Sequence, residues 1–330
     1  MNDFVAIARS LVPPGKGFLA NDEKTPHATA YLAEHGIAGG PEMRRKYRAL
    51  FLNAPHIEEY LSGAILFEGT YDEVGEDGKR FPESLAARSI APGVTVDEGL
   101  DPLPGSEAES VTKGLIGLPD VLHEYKAKGA VFTKWRTAIR VDGDQLPTSQ
   151  AIHENARRLA TYAKGVQAAG LIPVLEVEVL LSGKHSRARA KAVSIETLSA
   201  TFSIVAEHAV DSAAVILKTS MVLSGSESGR KDTPEEVAED TVEALMQSVP
   251  RQIAGVVFLS GGQDPDEATE NLAAITKRAR QMNAPWPLTF SYARALQEEA
   301  IAVWGGKDEN VEAARAVFLA RLRKVAAAVA

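Results

Sequence analysis

The sequence predicts an α/β fold, a single (β/α)8 TIM barrel domain spanning residues 1–330. Three observations carry that reading. Short apolar runs alternate with helical patterns along almost the whole chain, eight such runs can be placed, and several of them end on a charged side chain. Strands buried on both faces read as continuous apolar stretches. Strands interleaved with helices favour a parallel sheet, and eight is the number that closes a barrel.

The predicted strands are Phe18–Asp22, Gly63–Glu68, Val94–Asp97, Val131–Arg136, Ile172–Leu180, Val215–Ser220, Val256–Ser260 and Leu288–Tyr292. The third, around Gly93-Val94-Thr95-Val96, has the weakest signal, because glycine disfavours a strand interior. Between them, Thr233-Pro234-Glu235-Glu236 forms a capping box that opens a helix with Val237, Thr241 and Leu245 on one face, stopped by Pro250. Ala151–Gly170 reads as a helix ending on a glycine. Asp308 opens a terminal helix with Val311, Phe318, Leu322, Val325 and Val329 at helical spacing. The polar stretch Glu73–Pro82 reads as an exposed loop.

Composition narrows the function classes. With 45% hydrophobic and 24% charged residues the chain can bury a large core. A net charge of −8 without a dense basic patch argues against nucleic-acid binding. There is no cysteine, so neither a disulfide nor a thiol nucleophile is available. The start, Met1 to Gly17, lacks the basic region and long apolar stretch of a signal peptide. No apolar run reaches the ~20 residues of a membrane helix. The expectation is a cytoplasmic protein acting on a small molecule.

The charged strand ends point to chemistry. Lys134 and Arg136, Glu176 and Glu178, and Lys218 and Ser220 are each two residues apart, so alternation puts each pair on one strand face. Asp22, Ser260 and Ser291 fall at or near other strand ends. One charged strand end is ordinarily a solvated rim residue. Five or six converging at the mouth of a barrel would cost desolvation and repulsion, which favours a functional reading. A binding or scaffolding barrel without catalysis would have no reason to keep them.

Lys218 lies in the apolar run Val215-Ile216-Leu217-Lys218. Burial, and a second cation such as Lys134, would favour the free amine able to attack a ketone. The alternative is a structural ion pair with Glu176 or Glu178. The seven histidines form no i, i+2 or i, i+4 pair, so a histidine metal site is not expected. Leu259-Ser260-Gly261-Gly262-Gln263 precedes a helix near Pro265, a position suited to holding a phosphate, with Arg294 on the same side. Pro14-Gly15-Lys16-Gly17 is a turn into the first strand, not a P-loop.

Several strings are specific: Pro14-Gly15-Lys16-Gly17, Leu66-Phe67-Glu68, Lys134-Trp135-Arg136, Glu176-Val177-Glu178, Leu217-Lys218, Met221-Val222, Leu259-Ser260-Gly261-Gly262-Gln263, Phe290-Ser291-Tyr292, Arg294-Ala295-Leu296-Gln297 and Trp304-Gly305-Gly306-Lys307. In order and spacing, from Val5 to Lys324, they resemble the class I fructose-bisphosphate aldolase family of the animal and plant type. The resemblance implies reversible, metal-free and cofactor-free cleavage of fructose 1,6-bisphosphate to dihydroxyacetone phosphate and glyceraldehyde 3-phosphate, usually by a homotetramer.

The same resemblance makes Lys218 the Schiff-base lysine, Glu178 its acid–base carboxylate and Glu176 the proton-transfer carboxylate. Asp22 would be the base for the hydroxyl proton, and Lys134 the holder of the substrate hydroxyl beside Arg136. Ser260, Gly261, Gly262, Ser291 and Arg294 would bind the dihydroxyacetone-phosphate end. Two departures fall where the far phosphate would bind. Lys24-Thr25-Pro26-His27 stands where the family usually has small hydroxyl residues, and Glu98 where it has a lysine. A carboxylate there would repel a phosphate, which opens the alternative of a ketose 1-phosphate substrate. Vertebrate members also end on a tyrosine, whereas the last tyrosine here is Tyr292.

Without a metal in the chemistry, exhaustive treatment with EDTA is expected to leave cleavage activity unchanged. Loss of activity that zinc restores would refute the Schiff-base reading.

Overall fold

The computed structural model describes residues 3–330. Among the described residues there are ten strands: β1 Gly17–Asn21, β2 Leu61–Leu66, β3 Ala91–Thr95, β4 Gly99–Pro102, β5 Ser110–Lys113, β6 Phe132–Ile139, β7 Ile172–Val179, β8 Ile216–Thr219, β9 Gly255–Phe258 and β10 Leu288–Tyr292. Eight close a barrel in the order β1-β10-β9-β8-β7-β6-β3-β2, and every pairing in it is parallel. The remaining two, β4 and β5, form an antiparallel hairpin between β3 and β6.

The helices are α1 Asp3–Ser10, α2 Thr25–Glu34, α3 Pro41–Leu52, α4 Phe81–Ala87, α5 Leu118–Ala127, α6 Ser149–Ala168, α7 Arg187–Glu207, α8 Pro234–Ser248, α9 Pro265–Gln281, α10 Arg294–Trp304 and α11 Val311–Ala327. Among the described residues no helix is long and apolar enough to cross a membrane.

Local signals act where the sequence places them. Thr233 Oγ1 accepts from the Glu236 N–H while the Glu236 carboxylate accepts from the Thr233 N–H, completing the capping box of α8. Thr148 caps α6, so this helix starts two residues before the predicted Ala151, and Gly170 follows its end at φ +75°. Asp308 opens the terminal segment as a short 3-10 turn, and the α-helix proper begins at Val311.

Three expectations need correction. The third strand starts at Ala91 rather than Val94, and the fourth runs three residues past Arg136 to Ile139. The Glu73–Pro82 loop is not exposed to its end, because Phe81 and Pro82 are buried in the first turn of α4. The hairpin β4–β5 has no counterpart among the predicted elements; its two four-residue strands mix polar side chains with Leu100 and Val111, so no apolar run marks them, and pairing with each other makes them strands.

The barrel interior explains the glycine in the third strand. Its floor is a cluster of Phe18, Ile65, Phe132, Ile172, Val174, Ile216 and Val257, closed from below by Ala8, Leu11 and Val12 of α1 and its exit turn. Phe18 and Phe132 stack with ring centres 5.0 Å apart. Those rings occupy the space that side chains at Gly63 and Gly93 would need. A Cβ at Gly93 would lie 2.2 Å from the Phe132 ring, and one at Gly63 3.1 Å from both phenyl rings. The glycine that weakens the strand signal is therefore required by packing.

Gly93→Ala overpacks this layer and is expected to cost about 1–3 kcal/mol. In urea unfolding the midpoint should fall with the slope unchanged. An unaltered midpoint would show that Phe132 yields freely.

Candidate active site

Strand alternation puts the apolar floor and the charged mouth on one inward face. On β1 that face runs Phe18, Ala20 and, just past the strand, Asp22; on β6 it runs Phe132, Lys134, Arg136. β7 presents Val174, Glu176, Glu178, and β8 presents Ile216, Lys218. In each case the lower residues are apolar and the upper ones charged. Neighbouring strands align these side chains, since Arg136 pairs in register with Glu176 and Glu176 with Lys218.

The result is a cavity of about 590 Å³ at the carboxyl ends of the strands. Its lining includes every residue expected to act: Asp22, Lys134, Arg136, Glu176, Glu178, Lys218, Ser260, Gly261, Gly262, Ser291 and Arg294. Lys134, Glu176 and Lys218 are buried, at 4%, 3% and 4% exposure. Lys134 Nζ lies 2.9 Å from Asp22 Oδ2, 3.0 Å from Glu176 Oε2 and 3.8 Å from Asp97 Oδ2. The Glu176 contact is one of charge, since its angle does not suit a hydrogen bond. The other oxygen of Glu176 is 2.9 Å from Lys218 Nζ.

Lys218 and Lys134 are thus not bare neighbouring cations, as the sequence suggested. Glu176 stands between them, so the ion pair offered as an alternative coexists with the clustered mouth. Arg136 Nε donates to Glu178 Oε2 at 2.6 Å. Ser220 leaves the expected inward face: β8 ends at Thr219, and the Ser220 hydroxyl binds the Val179 backbone instead.

Charge pairing, not burial, decides the ionisation of the core. Burial pushes the Asp22 carboxyl up, but Lys134, Lys218 and a hydrogen bond from the Thr95 hydroxyl hold it well below the usual range. Glu176 is likewise lowered: burial opposes, Lys134 and Lys218 prevail. Burial disfavours the Lys134 cation, yet Asp22, Glu176 and Asp97 raise its pKa well above that of a free amine. Glu23, beside Asp22 and also lining the cavity, goes the other way. Its burial raises it, Arg48 opposes, and the Asp22 charge adds to the rise.

The end of the cavity beyond β9 is built largely from backbone. Gly261 and Gly262 sit at φ +61° and +92°, in the left-handed region open to glycine. Gln263 braces their loop, its N–H and its side-chain amide both donating to Ser260 O and its carbonyl accepting from Asn271. Ser291, 1% exposed, has a hydroxyl with no hydrogen-bond partner among the described residues. Arg294 opens α10 beside it. This end offers hydrogen-bond donors and a cation.

The opposite end departs from expectation. Glu98 is exposed and does not line the cavity, because Thr95 and Asp97 take the inward alternation and turn it out. The inward carboxylate is Asp97. Lys24 Nζ lies 3.2 Å from Asp97 Oδ1 and donates to Asp97 O at 2.9 Å. His27 and Leu100 complete that rim. Asp97, Thr95 and Glu23 were not picked out from the sequence. Asp97 had a readable signal, an acid closing the apolar run Val94-Thr95-Val96 just as Asp22 closes its own.

The family model described as fructose-bisphosphate aldolase class-I, of the glycolytic type, matches residues 3–330. The chain belongs to the class-I fructose-bisphosphate aldolase family. It is 40% identical to cytosolic fructose-bisphosphate aldolase 4 of Arabidopsis thaliana, over 97% of this chain and 81% of that one. Identity is 42% to the fructose-bisphosphate aldolase of Drosophila melanogaster, over 96% and 87%. A solved structure of fructose-bisphosphate aldolase from Plasmodium falciparum, in complex with TRAP and a small-molecule inhibitor, superposes with a TM-score of 0.95. It is 39% identical and covers 99% of this chain and 94% of that one.

Lys134→Met would leave Asp22 and Asp97 without their shared cation and Glu176 with Lys218 alone. The expected loss is about 3–5 kcal/mol at neutral pH. Asp22 and Glu176 are depressed below their ordinary 3.8 and 4.5, so the stability they carry is complete above those ordinary values and is lost only below them, as pH falls through the lowered values of the folded state. Without Lys134 they protonate more readily, so the gap between variant and parent should narrow at about pH 4. Urea unfolding at both pH values checks this; a gap independent of pH would contradict it.

Proposed function

We propose that this chain is a class I fructose-bisphosphate aldolase that works through a Schiff base on Lys218, with residues 1–330 acting as one barrel domain. The observation that supports this most is the Lys218 amine 2.9 Å from Glu176 on a fully buried strand, at the base of the charged mouth. An amine and a carboxylate at that distance can exchange the proton that must leave before attack on a ketone.

The sequence of steps balances on residues of the cavity. Lys218 adds to the C2 ketone and loses water to give an iminium. Asp22 accepts the C4 hydroxyl proton as the C3–C4 bond breaks, and the bonding pair moves into the iminium as an enamine. The aldehyde leaves, the enamine is protonated, and water releases dihydroxyacetone phosphate from Lys218. The lowered pKa of Asp22 keeps it ionised and so open to a proton at neutral pH, while its pairing with Lys134 weakens it as a base until the substrate hydroxyl takes up that lysine.

The other roles follow the same reading. Glu176 relays the lysine proton, and Glu178, tied to Arg136, is the second acid–base carboxylate. Lys134 holds the reacting hydroxyl beside Arg136. Ser260, Gly261, Gly262, Ser291 and Arg294 take the phosphate of the dihydroxyacetone half. No cofactor enters, and among the described residues no group of three acidic or histidine side chains is arranged to hold a metal. A cytoplasmic location belongs to this reading, supported by the cytosolic relative. A homotetramer is supported by the family resemblance alone.

Borohydride trapping with dihydroxyacetone phosphate, followed by peptide mapping, tests the assignment. The adduct is expected on Lys218, and Lys218→Met should form none while remaining folded. Asp22→Ala should still be trapped but lose cleavage, since only the base for the hydroxyl proton is gone. An adduct on Lys134, or none in Asp22→Ala, would overturn these roles.

A further inference from the structure

We propose that Lys24 sets specificity at the aldehyde end, taking a terminal phosphate on the departing half of the substrate by giving up Asp97. The inference rests on the aldolase reading above, and concerns a residue that stands where the resembling family has small hydroxyl side chains.

Topology fixes which end Lys24 serves. In the barrel order, β9 and β3 are four strands apart in either direction, so the loops after them face each other across the mouth. Ser260–Gly262 follow β9, and Asp97 follows β3. A substrate joined to Lys218 on β8, with its phosphate at Ser260 and Arg294, must direct its other end toward Asp97. Lys24, on the loop after β1, reaches over the end of β2 to that same carboxylate. On this rim the cavity-lining cation is Lys24, with His27 beside it.

The pair is built to exchange. Lys24 is 30% exposed at its side chain, a flexible amine with water on one side. Asp97 is 8% exposed and would be costly to strip of partners, but losing Lys24 does not strip it. Its Oδ2 keeps Lys134 at 3.8 Å and the Arg136 N–H at 3.3 Å, and its Oδ1 keeps the Gly99 N–H at 3.2 Å. A dianionic phosphate can therefore draw Lys24 away while the Asp97 charge stays compensated. A ketose without that phosphate meets the pair already formed and needs no exchange. Preference for the bisphosphate is then the difference between two Lys24 partners, and is modest for that reason.

The test is the ratio of kcat/KM for fructose 1,6-bisphosphate to that for fructose 1-phosphate. Lys24→Met is expected to lower the ratio at least fivefold, and Lys24→Arg to keep it nearer the parent value. Asp97→Asn, which frees Lys24, should raise it. A drop smaller than fivefold in Lys24→Met, a ratio that does not rise in Asp97→Asn, or a fivefold loss carried instead by His27→Ala would each overturn the assignment. Trapping with dihydroxyacetone phosphate is run on the same variants, since that ligand occupies the other end. Absence of an adduct in the parent protein would refute the Schiff-base reading itself, whereas a normal adduct with an unmoved ratio would refute only the role of Lys24.

Discussion

One buried ammonium organises the mouth of this barrel. Lys134 Nζ is within 3.8 Å of three carboxylates, on Asp22, Asp97 and Glu176, and Glu176 passes the contact on to Lys218. Removing so many charges from water is expensive, and packed apolar side chains of the same volume would serve stability as well or better. The cluster is therefore explained by what it does. It keeps Asp22 ionised, sets a carboxylate against the Lys218 amine, and spaces the two lysines on either side of Glu176. Each partner comes from a different strand or strand exit, so the arrangement depends on the closed barrel and on the register of β6, β7 and β8.

That register depends in turn on the barrel floor. Phe18 and Phe132 stack at the level of Gly63 and Gly93, filling the interior from two strands where two others contribute no side chain. Above this layer the same inward positions turn from apolar to charged within two residues: Phe132 to Lys134, Val174 to Glu176, Ile216 to Lys218. The floor excludes water from below and lowers the local dielectric, which strengthens every charge contact above it. Rigid packing and reactive charge are consecutive layers of one structure.

The two ends of the mouth are held by different chemistry. At the β9 and β10 end, glycine backbone in the left-handed region, the Ser291 hydroxyl and Arg294 make a donor-rich rim whose geometry is fixed by Gln263 and Asn271. At the β3 end, the rim is an ion pair between side chains, Lys24 and Asp97. Backbone donors keep their positions whether a ligand is present or not. A lysine has four rotatable carbons and a choice of partners. The first end is therefore fixed in geometry and the second can exchange partners.

The eight barrel strands, the capped helices and the inward charges are legible in the amino-acid sequence, because strand alternation, capping and burial are local rules readable from neighbouring residues. It placed Asp22, Lys134, Glu176 and Lys218 at strand ends that must converge once a barrel closes. It could not say which charge meets which, since pairing depends on register between strands separated by some forty residues, such as Lys134, Glu176 and Lys218. The family resemblance pointed to Glu98 rather than Asp97, because matching residue types position by position does not show which of two adjacent side chains faces the mouth; in the structure Thr95 and Asp97 face it and Glu98 is exposed. Tertiary structure alone decided that Glu176 separates the two lysines and that Lys24 reaches over β2 to Asp97. These contacts join residues remote in the chain, and no local preference encodes them.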